Sequence, residues 1–276
     1  MNLRESFLPA GWYPRDSGEI SRFLSGITPG KGKSPAAIAP HAGWRYAGKI
    51  AARAMASLDA AIETLVVIGG HLPAGYPSLF AMEDAVSTPL GPMTINTALR
   101  DALLKELGGK EDRYPDNTVE VLLPMARFFF PKASLLWLRL PAQLPSFDAG
   151  KSVAAAADTL GCAVAVLAST DLTHYGSHYG FTPQGTGPDA LRWVREVNDR
   201  GFIDAVISGG PAAVLERADT DSSSCSAGAV LGAMGFASAK GLGAARLLEY
   251  GTSVDGVDAD AEVDSFVGYA AMAWEA

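Results

Sequence analysis

Four histidines and two cysteines are the chain's imidazole and thiol donors for a metal, and three of the histidines stand directly after apolar runs. His41 follows "AAIAP", His71 follows "TLVVIGG", and "AVAVLAST" runs into "DLTHYGSHYG", which supplies Asp171, His174 and His178. Neutral imidazole binds iron, copper and zinc, and a carboxylate or thiolate commonly completes the set. Cys225, in the polar run "DTDSSSCSAGAV", is the soft candidate. It stands at an expected helix start, where the positive end of the macrodipole favours the thiolate that a metal requires. The candidates are far apart in sequence and no short motif such as HExxH occurs, so the fold must gather them.

Each residue also has a plainer reading. His41 and His71 could be capping or core histidines, although "GGH" lets a backbone approach a ligand closely. Asp171 and His174 could form a local turn pair, and His178 reads as a solvated loop residue. Cys162 lies in an alternating apolar stretch and reads as a small buried side chain, and "ARFFFP" (126–131) reads as core.

The positioning elements follow from periodicity. Strands are expected at 36–40, 64–70, 133–140, 162–170, 244–253 and 264–274. Helices are expected at 47–60, at 96–107 with Asn96 as N-cap, at 148–160, at 187–209 with a break near Gly201, and at 222–241. Continuous apolar strands alternating with helices imply an α/β fold whose mixed, partly parallel sheet is covered on both faces. In such sheets ligands bind beyond the carboxyl ends of strands, where the histidines fall. No internal repeat or linker divides the chain, so one domain over 1–276 is expected.

Composition narrows the function classes. Hydrophobic residues make up 48% and charged residues 19%, which fits a packed globule. A net charge of −8 gives no basic surface for nucleic acid or an anionic membrane. The opening "MNLRESFLPAGWYPRD" has no signal-peptide pattern, and no run approaches the roughly 18 apolar residues of a membrane span. A cytoplasmic protein acting on a small molecule is the expectation.

The motifs resemble those of the Memo family, called AmmeMemoRadiSam system protein B in many prokaryotes. The stretches that carry the resemblance are "AGWYPRD" (10–16), "APHAGWRYAGKIAARA" (39–54), "VVIGGH" (66–71), "STPLGPMTIN" (87–96), "STDLTHYG" (169–176), Cys225, "YGTSVD" (250–255) and "VGYAAM" (267–272). The resemblance implies a fold like that of class III extradiol dioxygenases and a metal held by His41, His71 and Cys225. It implies that His174 is a pocket acid or base, oriented by Asp171. Fe(II) is the expected ion, and copper and zinc accept the same donors.

Two departures from the family pattern bear on mechanism. "DNTVEVLLP" (116–124) places Asn117 where the family has a pocket histidine, while keeping Glu120 and Pro124. An amide can hydrogen-bond a substrate but cannot shuttle a proton near neutrality. "SSSCSAG" places Ser226 where the family has glycine. Asn117, Glu120 and Arg45 are the expected substrate-pocket residues. The reading from all this is a metal-dependent, dioxygenase-like oxidoreductase. The rivals are a ligand- or peptide-binding protein and an accessory subunit of a radical-SAM protein, the iron–sulfur chemistry then belonging to the partner.

Overall fold

The computed structural model describes residues 2–27, 33–255 and 264–275. Its centre is a nine-stranded mixed sheet. Four strands, Ala36–Ala39, Val164–Ser169, Thr64–Leu72 and Ser134–Pro141, lie side by side and parallel in that order. Antiparallel to the first runs Ser265–Trp274, which also pairs with Arg246–Thr252 and with the short strand His174–Gly176. Leu79–Phe80 and Lys110–Glu111 close the other edge.

Successive side chains of a strand point to opposite faces, and the parallel strands are apolar on both. Leu65, Val67, Leu135, Trp137 and Leu167 pack on one face against helices Ser17–Ser25, Trp44–Ser57 and Leu123–Phe129. Val66, Ile68, Leu136, Leu138 and Val166 pack on the other against Thr97–Leu107, Pro145–Leu160 and Ala227–Ala239. The expected α/β class, with a mixed and partly parallel sheet flanked by helices, is what the structure has.

Several boundaries are corrected. The second helix begins at Trp44, three residues earlier than expected, because Gly43 acts as its N-cap and the Trp44 N–H is taken by Trp12 O at 2.8 Å. Gly201 does not break the helix around it. The path Pro188–Thr220 instead changes to π-helical turns at Val194–Asn198 and Ala205–Gly209. The late helix starts at Ala227, not at 222, since Ser223 to Ser226 form a connecting segment pinned by Ser223 Oγ to Arg217 O and by Cys225 N to Asp171 O. Cys162 precedes its strand and meets Thr64 Oγ1 at 3.2 Å, so it is a half-buried, polar-contacted thiol and not a core side chain.

Candidate metal centre

Because the four central strands are parallel, their carboxyl ends share one rim. The pairing of Ala39 with Ser169 brings His41 and Asp171 to equivalent positions two residues past the pair. The neighbouring strand Thr64–Leu72 delivers His71 to the same rim, with its register slipping between Gly69 and Leu72.

His41 is buried and fixed on three sides. Its backbone N–H donates to Asp171 Oδ1 at 2.7 Å, Nδ1 meets Ser169 Oγ at 2.8 Å, and Nε2 faces Cys225 Sγ at 3.3 Å. With Nδ1 engaged by the Ser169 hydroxyl, Nε2 is the nitrogen that faces the other donors. Burial favours the neutral ring, but the Asp171 carboxylate and the Cys225 sulfur outweigh it and shift the imidazole upward.

His71 has a φ of +57°, a left-handed conformation that costs a non-glycine residue about 1 kcal/mol. The slip in register and this turn aim its ring edge-on at His41, with centroids 4.9 Å apart. Asp116 Oδ2 holds Nδ1 at 3.0 Å, and Asp116 is itself held by Arg139 at 3.1 Å and by Thr118 N at 2.8 Å. Burial opposes the His71 charge, but the Asp116 hydrogen bond and Cys225 push its pKa up to about 10. Burial likewise opposes ionisation of Asp116, while His71, Arg139 and Thr118 hold its carboxyl at about 2. The glycines of "GGH" serve the protein interior and not a ligand: a Cβ at Gly69 would lie 2.3 Å from Thr118 Oγ1, and one at Gly70 2.3 Å from Ser226 Cβ.

Cys225 is two residues ahead of its helix, with Sγ 3.6 Å from Asp171 O and 3.6 Å from Ser226 Oγ. Burial of the thiol opposes ionisation, yet His41 and His71 outweigh that and hold it well below the usual thiol range. The donor atoms of His41, His71 and Cys225 all lie within 4.8 Å of one another. Two imidazole nitrogens and a thiolate suit Fe, Cu or Zn and disfavour Mg or Ca, which prefer oxygen. The carboxylate behind His71 is the support that metal-binding histidines usually have. The donor set therefore fits a transition metal.

Beside it opens a cavity of about 730 Å³, whose wall includes Trp12, Tyr46, Tyr179, Val254 and Tyr269 together with His41, His71, Asn117, Asp171 and His174. His174 Nδ1 donates to Leu172 O at 3.1 Å, which leaves Nε2 free as the acceptor. Asp171 does not orient His174, contrary to expectation: its carboxylate faces His41, accepting the backbone N–H and standing 3.9 Å from Nε2. Asn117 lines the cavity and donates through Nδ2 to His41 O at 3.1 Å.

Glu120 and Arg45 are not in the cavity wall. Glu120 is buried and accepts from Phe7 N, Leu8 N and the Tyr13 hydroxyl, clamping the N-terminal segment that carries Trp12 to the wall. Arg45 is exposed on the first turn of its helix, its guanidinium 5.8 Å from the Tyr46 ring. His178 is exposed, as expected. Sequence reasoning missed Asp116 and Arg139. The signal for Arg139 was a lone cation in the apolar run "SLLWLRLP", which must be paired when buried. Asp116 had none beyond its place before the "NTVE" turn.

Comparison with known proteins agrees along the chain. The family described as Memo-like protein matches residues 4–273. A MEMO1 family protein of Pyrococcus abyssi is 30% identical over 256 residues, covering 87% of this chain and 86% of its own. One of Pyrococcus furiosus is 26% identical over 290 residues, covering 98% of each. Among solved structures, an uncharacterised Escherichia coli protein overlays with a TM-score of 0.45 at 15% identity, covering 87% of this chain and 100% of that one.

Proposed function

The chain belongs to the Memo-like family, and we propose that it is a transition-metal protein of dioxygenase-like, oxidoreductase type that acts on a small molecule held in the cavity. The observation that carries this reading is the convergence of His41, His71 and Cys225 donors within 4.8 Å beside that cavity. Fe(II) is the first ion to try, followed by copper and zinc. A metal bound there would supply Lewis-acid or redox chemistry to the cavity's occupant.

The chain's own groups divide the remaining work. Ser169 and Asp171 fix the His41 ring and backbone, and Asp116 with Arg139 fixes His71. Such support keeps the donor atoms in one geometry and maintains the tautomer that each histidine needs. His174, through Nε2, accepts or delivers a proton at the occupant. Asn117 orients it through Oδ1 and moves no proton. Trp12, Tyr46, Tyr179 and Tyr269 give it aromatic walls.

One observation favours a second reading, a ligand-binding protein without turnover. With Asn117 bonded to His41 O, His174 is, among the described residues, the one imidazole of the cavity wall outside the donor trio. Elemental analysis of protein purified without oxygen tests the leading reading. Near-stoichiometric iron, copper or zinc, lost in both His41→Ala and Cys225→Ser, supports it. Native protein that takes up none of the three on loading overturns it and leaves the binding reading.

A further inference from the structure

Behind His174 lies a polar cluster that the metal centre does not use. Asp199 is fully buried, at the point where the π-helical turn Val194–Asn198 passes back to α-helix. A π-turn carries one extra residue, and here Asn198 and Asp199 both reach Thr173. Asp199 Oδ1 accepts from Thr173 N at 3.1 Å and from Thr173 Oγ1 at 2.5 Å, Asn198 Nδ2 donates to Thr173 Oγ1 at 2.9 Å, and Tyr250 OH donates to Asp199 Oδ2 at 2.8 Å. The strand Ser265–Trp274 takes hold of the same turn, since Leu172 N donates to Gly268 O at 2.8 Å and Gly268 N to Thr173 O at 3.0 Å. Position 268 must be glycine here, because a Cβ would lie 1.9 Å from Asp199 Oδ2.

Among the described residues no lysine or arginine forms a salt bridge to Asp199. A buried carboxylate held only by neutral donors is expensive to keep, and an uncharged acceptor could have satisfied one threonine more cheaply. Burial accordingly pushes the Asp199 carboxyl up to about 6 against the pull of Thr173, Tyr250 and the nearby His174. What the cluster secures is the Leu172–His174 turn. Leu172 O receives the His174 Nδ1 proton, so the turn's geometry decides which ring nitrogen stays free.

We propose that Asp199 is the positioning residue of His174, gripping Thr173 from the protein interior so that Leu172 O keeps the proton on Nδ1 and leaves Nε2 as the free base of the cavity. This deepens the reading of His174 as the proton-transferring group and rests on it. It predicts that the tautomer of His174, and not merely the stability of the fold, depends on Asp199.

The test is ¹⁵N spectroscopy of histidine-labelled protein, at a pH where the His174 ring is neutral, for the native chain and for Asp199→Ala, Asp199→Asn, Thr173→Val and Tyr250→Phe. The native ring should carry a slowly exchanging proton on Nδ1 and none on Nε2. Asp199→Ala should lose that slow signal and show the tautomer mixture of a free imidazole, and Thr173→Val, which keeps only the backbone N–H bond to Asp199 Oδ1, should weaken it. Asp199→Asn should restore part of it, and Tyr250→Phe, which leaves the Thr173 contacts in place, should keep it. Metal content, measured on the same samples, should not change, so failure of the metal reading shows up separately. An unchanged Nδ1–H signal in folded Asp199→Ala or Thr173→Val overturns the proposal. If Asp199→Ala does not fold, the near-isosteric Thr173→Val decides.

Discussion

The sulfur of Cys225 stands 3.3 Å from Nε2 of His41, although the two residues come from opposite ends of the chain. The contact joins a thiol that gains from a neighbouring positive charge to an imidazole that gains from a neighbouring negative one. It favours the thiolate form of Cys225 in the metal-free site, so the protons that metal binding must release come from the imidazoles.

That state is measurable. Metal-free protein near neutral pH should show ultraviolet thiolate absorbance assignable to Cys225 and absent from Cys225→Ser. In His41→Ala the absorbance should appear only at higher pH, its midpoint raised by roughly 1–3 units, the usual effect of an opposite charge at this range. Equal midpoints in the native chain and the variant would show that His41 does not stabilise the thiolate.

The carboxylate behind His71 should set how tightly a metal is held. Replacing Asp116 with Asn removes the charge that faces both His71 and Arg139, and loss of such support typically weakens binding about 10–100-fold. Competition titration with a chromogenic chelator reads this directly. An Asp116→Asn affinity within a factor of two of native would remove Asp116 from the account.

Gly70 and Ser226 fit together as a pair. A Cβ at position 70 would lie 2.3 Å from Ser226 Cβ, so Gly70→Ala should destabilise by about 1–3 kcal/mol through overpacking. Adding Ser226→Gly should recover part of it, since Cα of residue 226 still lies 2.8 Å from the new Cβ, giving a coupling in a double-mutant cycle measured by urea unfolding. Additive effects would mean that the two positions do not meet.

Asp199 makes stability depend on pH. Its folded-state pKa of about 6 lies above the unfolded value of about 3.9, so the folded chain binds the extra proton between the two values. Stability therefore falls as pH rises from about 4 through about 6, and the loss is absent below the lower value. Asp199→Asn removes this loss. On moving from pH 4 to pH 7.5 the variant should gain about 2–3 kcal/mol relative to native. Parallel stability profiles would contradict the shift.

Much of this site was legible because its chemistry follows the strands. His41, His71 and Asp171 come at the ends of apolar runs, and parallel pairing carries strand ends to one rim. Cys225 was legible as a lone thiol in a serine run, but its two-residue offset from the helix was not, since that depends on Asp171 O accepting its N–H. The partners of Asp171 and Glu120 were misplaced for a shared reason. A carboxylate's sequence neighbours do not reveal which backbone N–H it will meet, and Glu120 meets Phe7 and Leu8 more than a hundred residues away. The helix Ser17–Ser25 escaped notice although Asp16 caps Glu19 N at 2.9 Å, a pairing that "DSGE" announces. The π-turns that deliver Asn198 and Asp199 to Thr173 have no sequence signature at all.

The most direct test of the central claim is titration of metal-free protein with Co(II), followed by absorbance. If His41, His71 and Cys225 hold one metal together, an intense thiolate-to-cobalt charge-transfer band should saturate at one equivalent. The band should vanish in Cys225→Ser, and binding should weaken sharply in His41→Ala and His71→Ala. Stoichiometric binding without the band, or a band that survives in Cys225→Ser, would place the metal elsewhere and contradict the account.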